Sequence, residues 1–168
     1  RLSAWAKEFD GEFYNLLEKD TDYSKAMISI DRDVAKPRKD IAKWSDAESY
    51  FSYFFDELYT NDLEMPDNIA PADAKAFLEK YKTVYNASDD RQQWFERIKA
   101  IAPEIGFAAE TKLYKAEPEK YKGHAGDLST VLRIAVTGRR NTPDLCSIMR
   151  VLGYDTCIKR IDTAINTL

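Results

Sequence analysis

The sequence predicts an all-α fold, a helical bundle or cage of about seven to nine helices in two packed subdomains. Apolar residues recur at spacings of three and four over most of the 168 residues, which is the pattern of an amphipathic helix. No segment alternates apolar and polar residues for long enough to form a strand. Serine, aspartate, proline and glycine stand where helices are expected to begin and end.

The first helix is predicted from an apolar stripe that runs from Trp5 to Leu17 without a break, and a second helix is expected to begin near Asp22. Further on, Ser45 and Glu48 fit a capping box, in which a hydroxyl and a carboxylate three residues later satisfy the first amide groups of a helix. The helix that follows is expected to place three aromatic residues in the core: Phe51, Phe54 and Phe55.

Residues 61–70 are rich in turn-forming residues and are expected to form a loop. Pro71 suits the first turn of the next helix. We therefore predict a helical subdomain over residues 1–70 and a second helical subdomain over residues 71–168.

The C-terminal part carries the clearest helix signals. Asp127 is expected to cap a helix that ends at Gly138. Thr142 is expected to be the N-cap of the next helix, with Pro143 in its first turn and its end at Gly153. A last helix is expected to run to the C-terminus.

The turn between these two helices is basic: Gly138-Arg139-Arg140-Asn141. Residues 131–168 hold six Lys or Arg against three Asp, a net charge of +3. Residues 1–130 hold nineteen Lys or Arg against twenty-six Asp or Glu, a net charge of −7. Such asymmetry indicates a polyanionic partner. The amides at the start of the following helix add positive potential at this turn.

The two helices on either side of the basic turn could belong to a DNA-binding or to an RNA-binding protein. A helix-turn-helix that reads DNA needs long polar side chains on its second helix, whereas this one offers Asp144, Cys146 and Ser147. A helical cage that points its basic turn at a loop of RNA fits the arginines better. DNA is therefore not an expected partner.

The rarer residue types exclude several functions. His124 is the single histidine, which excludes catalytic triads and zinc sites with two or more histidines, and we expect it to be an ordinary surface residue. Cys146 and Cys157 lie in no CxxC motif, so we expect reduced, partly buried thiols rather than a metal site. No apolar run of membrane length and no leader are present, which predicts a cytoplasmic protein without a membrane partner. The chain begins without methionine, and we expect it to be a fragment of a longer protein.

Several spaced motifs resemble those of one enzyme family. The C-terminal set is Leu132-Arg133-x-Ala135-x-Thr137-Gly138-Arg139, Pro143-Asp144-Leu145, Leu152-Gly153 and Arg160-Ile161. The N-terminal set is Ile30-Asp31-Arg32, Lys36-Pro37-Arg38-Lys39-Asp40-Ile41 and Tyr53-Phe54-Phe55. Together they resemble the C-terminal anticodon-binding region of bacterial glutamyl-tRNA synthetases over roughly the whole chain.

The resemblance implies which side chains contact tRNA. Arg38 is expected to read an anticodon base, because arginine offers both a flat face and a fork of donors. Nearby phosphates are expected to be held by Lys36, Lys39 and Lys43. A second wall of the same pocket is expected from Arg139 and Arg140, with Asn141 and Thr142 as neutral hydrogen-bonding partners. We expect Arg133 and Arg160 to fix neighbouring helices instead.

The resemblance also implies what the chain lacks. The family's catalytic domain carries a His-x-Gly-His signature and a Lys-Met-Ser-Lys-Ser-like loop, and neither is present. The chain is therefore expected to be a non-catalytic, monomeric part of a glutamate–tRNA ligase. It would position glutamate tRNA for an N-terminal domain that uses ATP and Mg²⁺, with no cofactor of its own. Two alternatives remain: the equivalent region of a class I lysyl-tRNA synthetase, and a helical protein-interaction module that binds no RNA.

Overall fold

The computed structural model describes residues 1–37 and 39–168, and this part of the chain contains ten α-helices and no named strand. The helices are α1 Leu2–Phe9, α2 Gly11–Lys19, α3 Thr21–Ser29, α4 Ala47–Phe51, α5 Pro71–Val84, α6 Arg91–Ile101, α7 Thr111–Ala116, α8 Ala125–Thr137, α9 Leu145–Leu152 and α10 Tyr154–Thr167. One isolated bridge joins Ala108 and His124. The predicted all-α fold is confirmed.

The chain divides into two compact units, Arg1–Thr60 and Asn61–Leu168. Residues 61–70 contain no helix, so the predicted loop is confirmed, and it belongs to the second unit. The division predicted at residue 70 thus falls inside that unit. Among the described residues, no helix has the length and apolar character needed to span a bilayer.

The first unit begins with two short helices instead of the one long helix that was predicted. Asp10 separates them, with a non-helical backbone at φ −151° and ψ 77°, and its carboxylate accepts the N–H of Phe13 at 3.1 Å. A short acidic side chain that binds the amides of the next turn favours a helix start over a helix interior. The apolar stripe continues across the break, which is why spacing alone did not reveal it.

The predicted capping box at Ser45 and Glu48 is wrong. A 3-10 turn over Trp44–Asp46 leads directly into α4, and no side chain caps either element. The aromatic core of this unit is confirmed, because Phe51, Phe54 and Phe55 are all buried. The ring of Phe55 meets that of Phe13 edge-on, at 6.0 Å between centroids.

The second unit is built around α5, which packs against α6, α8 and α10. Pro71 occupies the first turn of α5, as predicted. The fully buried face of α5 consists of Ala74, Phe77, Leu78 and Tyr81. Cys146 of α9 and Cys157 of α10 are free and buried, in agreement with the expected reduced thiols.

Two predicted helix starts in this unit are wrong. His124, not Asp127, is the N-cap of α8: its Nδ1 accepts the N–H of Gly126 at 3.0 Å, while Asp127 accepts the N–H of His124 at 2.8 Å. His124 is half-buried and is therefore no ordinary surface residue. Asp144, not Thr142, caps α9, since its carboxylate accepts both the N–H and the hydroxyl of Ser147.

The predicted helix ends are confirmed. Gly138 terminates α8 at φ 70°, and Gly153 follows α9 at φ 83°. Both values lie in the left-handed region, where a residue without a Cβ is favoured. The basic turn therefore begins at a fixed change in chain direction.

Candidate nucleic-acid interface

The C-terminal end of α8 is held by side chains from elsewhere in the second unit. The amide of Asn61 donates to the carbonyls of Ile134 at 2.7 Å and Ala135 at 3.2 Å. The buried guanidinium of Arg160 donates to the carbonyl of Val136 at 2.8 Å. The carbonyls of Ala135 and Val136 belong to the last turn, where a helix leaves carbonyls without an intrahelical donor, whereas that of Ile134 also accepts the N–H of Gly138 at 2.8 Å. The expectation that Arg160 fixes a neighbouring helix is confirmed.

The two arginines of the basic turn differ in their surroundings. Arg140 is exposed, and its Nη2 donates to the carbonyl of Met65 at 2.9 Å, which ties the turn to the 61–70 loop. Arg139 is half-buried, and its backbone N–H donates to the hydroxyl of Thr137 at 3.2 Å. Asn141 is exposed. The turn thus presents positive charge on a backbone that its own neighbours fix.

Arg133 fixes the segment that leads into α9. Its Nη1 donates to the hydroxyl of Thr142, to the carbonyl of Thr142 at 3.3 Å and to the carbonyl of Pro143 at 2.8 Å. Thr142 is only 6% exposed, and its hydroxyl also donates to the Pro143 carbonyl at 3.0 Å. Arg133 was expected to fix a helix, and it fixes this loop segment instead.

A cavity of about 590 Å³ opens beside Arg133. Its walls come from α6, α8 and the start of α9, and they include Arg91, Trp94, Phe95, Lys99, Arg133 and Leu145. Cations and flat aromatic rings thus share one concave surface. Its size falls in the range of small-molecule and cofactor sites.

The charges in this cavity are partly balanced. Arg91 pairs with Asp144 at 3.1 Å, and the Arg91 side chain is 79% exposed. Lys99 pairs with Glu96 and Glu110, each at 3.0 Å, and its hydrogen bond to Glu110 is the main reason that its pKa is raised. The ammonium of Lys99 also lies 5.5 Å from the ring centre of Phe95. Lys99 therefore stays charged at neutral pH.

Asp89 determines where α6 stands relative to α9. Its carboxylate, which is buried, binds the guanidinium of Arg97 on α6. Its backbone carbonyl accepts a hydrogen bond of 2.7 Å from Nη2 of Arg150 on α9. The two contacts join the start of α6 to α9, and residues of α6 and of the start of α9 both line the cavity.

In the first unit, the predicted lysines are on the surface. Lys36, Lys39 and Lys43 are exposed, and Lys43 approaches Asp46 at 3.8 Å. Arg38 lies outside the described residues. A second cavity of about 390 Å³ is present here, lined by Arg32, Ile41, Ala42, Lys43 and Trp44.

The predicted residues therefore fall in two sets, one in each unit. The first set is Lys36, Lys39 and Lys43; the second is Arg139, Arg140, Asn141 and Thr142. That both sets line one pocket stays a prediction. Sequence reasoning missed the α6 residues of the larger cavity, because they lie about forty positions before the basic turn and belong to no motif. Within the described ranges, no group of three potential metal ligands occurs.

Comparison with known proteins adds a separate finding. The sequence model of the family described as "anticodon binding domain" matches residues 4–165. The chain is 44% identical to a glutamate–tRNA ligase of Acetivibrio thermocellus over 95% of its own length and 29% of that protein's. It is 41% identical to a glutamate–tRNA ligase of Clostridium perfringens, over 94% of this chain and 30% of that protein.

A glutamate–tRNA ligase of Sorangium cellulosum is 42% identical, with 94% of this chain and 28% of that protein covered. The chain therefore spans less than a third of the length of these relatives. No solved structure matches the chain.

Proposed function

The chain belongs to the anticodon-binding domain family, and on this premise we propose that it binds the anticodon loop of glutamate tRNA as part of a glutamate–tRNA ligase. Its similarity to three glutamate–tRNA ligases over more than nine-tenths of its length supports this choice of tRNA over lysine tRNA. In the whole protein, ATP and Mg²⁺ would bind outside this chain, and the chain would act as a monomeric tRNA-positioning region.

The observation that carries the proposal is the cavity of about 590 Å³ beside Arg133. Anticodon bases are unpaired, so a protein can receive them in a pocket, stack them on flat side chains and bind their edges. The ring of Phe95 and the guanidinium groups of Arg91 and Arg133 offer both kinds of contact on one surface.

Arg133 is suited to bind a base because the protein already fixes its position. Three oxygen atoms of Thr142 and Pro143 hold its Nη1. A side chain that is ordered before binding loses less entropy when the ligand arrives. We therefore assign Thr142 the role of positioning Arg133, rather than a direct hydrogen bond to RNA through its buried hydroxyl.

Other residues would bind the nucleic-acid backbone. Arg139, Arg140 and Asn141 flank the start of α9 and would contact phosphates or base edges of the loop. In the first unit, phosphates would be held by the exposed lysines: Lys36, Lys39 and Lys43. Arg38 is proposed as a base reader from the family resemblance alone.

The proposal is tested by filter binding of a glutamate tRNA transcript to the 168-residue chain and to the double variant Arg139→Ala, Arg140→Ala. The matched control is Lys112→Ala, Lys115→Ala, which removes the same charge from exposed positions on α7 in the same unit. We expect the first variant to bind at least about tenfold more weakly, because two cations near phosphates are lost. The control is expected to bind like the unmodified chain.

Two results would count against the proposal. Absence of any tRNA binding would favour a helical interaction module instead. Equal binding of glutamate and lysine tRNA transcripts would remove the argument for glutamate, and tighter binding of lysine tRNA would support the class I lysyl-tRNA synthetase alternative.

A further inference from the structure

The smaller cavity, in the first unit, contains an exposed tryptophan. Trp44 is 43% exposed and lines the cavity of about 390 Å³ together with Ile41 and Ala42. Its position follows directly from the backbone: Lys43 is extended at φ −141° and ψ 157°, and Trp44 opens the 3-10 turn before α4. The neighbouring aromatic residues Phe51 and Phe54, in contrast, are buried. Trp44 therefore contributes to a surface rather than to the core.

Two cations share this cavity with the indole ring. Arg32 stands on one side, and its Nε donates to the carbonyl of Ile28 at 3.3 Å, which anchors the guanidinium at the end of α3. Lys43 adjoins Trp44, and its side chain is 73% exposed. An exposed ion pair such as Lys43 with Asp46, at 3.8 Å, contributes little, so the ammonium is available to a stronger anion.

The net positive charge of residues 32–44 suits a polyanionic partner. From position 32 to position 44 the sequence holds five Lys or Arg against two Asp. One of these acids, Asp40, accepts a hydrogen bond of 2.7 Å from the hydroxyl of Tyr50. A cavity lined by both a flat ring and cations matches the surfaces that bind single-stranded nucleic acid, where bases stack on aromatic side chains and cations hold the backbone.

We propose that Trp44 stacks on an unpaired nucleotide of the bound RNA, while Arg32 and Lys43 bind the phosphates that flank it. This subsite lies in the first unit and is separate from the cavity beside Arg133 in the second. The inference rests on the proposed function, since it assumes that the chain binds RNA. The phosphate contact of Lys43 was already predicted and Arg32 belongs to a motif, so the contact that this subsite adds is the stacking of a nucleotide on Trp44.

The test measures binding of a glutamate tRNA transcript to the 168-residue chain at several salt concentrations. Trp44→Ala is expected to raise Kd by about 5- to 100-fold, the range found when a stacking ring is removed. Trp44→Phe keeps a flat ring and is expected to stay within a few-fold of the unmodified chain. The control Phe9→Ala removes an aromatic side chain that is 65% exposed but does not line the cavity, and it is expected to change Kd little.

The salt dependence separates stacking from charge. Trp44→Ala is expected to leave the slope of log Kd against log salt unchanged, because no phosphate contact is lost. Lys43→Ala is expected to lower this slope by about 0.7. A blunt RNA duplex without unpaired bases is expected to bind Trp44→Ala and the unmodified chain equally. Thermal melting by circular dichroism checks that each variant is folded.

Each remaining outcome overturns the inference. If Trp44→Ala binds tRNA normally while the Arg139, Arg140 double variant binds weakly, the Trp44 subsite does not exist but the proposed function stands. If Trp44→Ala loses as much affinity for the RNA duplex as for tRNA, Trp44 does not stack on an unpaired nucleotide. If no RNA binds even to the unmodified chain, both proposals fail together, and Trp44 would then suit a protein partner.

Discussion

Arg133 connects structure and proposed function at the scale of single residues. It projects from α8, holds Thr142 and Pro143, and lines the larger cavity. A hydrogen bond from a charged group contributes more than a neutral one, and a buried acceptor that loses its donor is costly. A change at Arg133 therefore affects both stability and binding.

We expect Arg133→Gln to lower the free energy of unfolding by about 1–3 kcal/mol, because oxygens of Thr142 and Pro143 lose a charged donor. Urea denaturation measures this change. The matched control is Arg91→Gln, which removes a cation from the same cavity but breaks a single ion pair in which the Arg91 side chain is 79% exposed, so we expect it to cost less. Equal stability of the two variants would show that Arg133 does not hold the turn.

The buried thiol of Cys157 is expected to make the free energy of unfolding depend on pH. Burial raises the pKa of its thiol to about 11, above the value of about 8.5 in an unfolded chain. Between these two pH values the Cys157 thiol keeps its proton in the folded state and loses it in the unfolded state. The contribution of this thiol to the free energy of unfolding is therefore complete below about pH 8 and is lost as the pH rises to 11. We expect the loss to reach up to about 2 kcal/mol.

Urea denaturation of the unmodified chain and of Cys157→Ala, at pH 8 and at pH 10.5, measures this difference. The unmodified chain is expected to lose more stability than the variant over this interval. An identical loss in both proteins would mean that the thiol of Cys157 titrates normally in the folded state.

At the scale of elements, helix ends determine the shape of the basic turn. Gly138 turns the chain at the end of α8, while Asn61 and Arg160 bind carbonyls in its last turn. Asp144 then starts α9 by accepting from Ser147. The basic turn is thus fixed at both sides, and its arginines extend from a rigid backbone.

We expect Asp144→Ala to destabilise the protein by about 0.5–2 kcal/mol, the usual effect of losing an N-cap. Asp144→Asn keeps an acceptor for the amide of Ser147 but removes the charge that pairs with Arg91, so it is expected to cost less than half as much. Thermal melting of the two variants checks this order. Equal effects of Asn and Ala would assign the role of Asp144 to the ion pair, because both substitutions remove its charge.

At the scale of the whole molecule, charge is distributed unevenly. The chain has a net charge of −4, but exposed lysines lie close together along the chain at Lys36, Lys39 and Lys43, and the basic turn adds the exposed Arg140 and the half-buried Arg139. Acidic surfaces repel RNA in general, whereas local basic clusters attract it, so binding away from these clusters is disfavoured. For the proposed function, this distribution would favour binding at the basic clusters over nonspecific coating.

We expect the tRNA affinity of the unmodified chain to fall steeply with salt. The triple variant Lys36→Ala, Lys39→Ala, Lys43→Ala is expected to lower the slope of log Kd against log salt by about 2, which is roughly 0.7 for each lost phosphate contact. Fluorescence titration of labelled tRNA over a salt series measures the slope. Lys25→Ala, which removes an exposed lysine paired with Asp22 in the same unit, serves as the control. An unchanged slope in the triple variant would remove these lysines from the interface.

Sequence periodicity predicted most helices because an amphipathic helix is a local pattern. It missed the break at Asp10, since the apolar stripe continues on both sides and only the carboxylate's bond to Phe13 shows the new start. It placed the cap of α9 at Thr142 because hydroxyl residues before proline commonly cap helices. The structure uses that hydroxyl for Arg133 instead, a contact between different segments that spacing does not encode.

By itself, the sequence determined the all-helical class, the helix ends at Gly138 and Gly153, and a basic turn in an acidic chain, because each depends on residues that are neighbours along the chain. Only the tertiary structure decided that residues of α6 and α9 line one cavity and that Arg133 is fixed beside it. The reason is geometric: residues forty positions apart become neighbours only when their helices pack. The packing of buried side chains, not the local pattern, sets which faces meet.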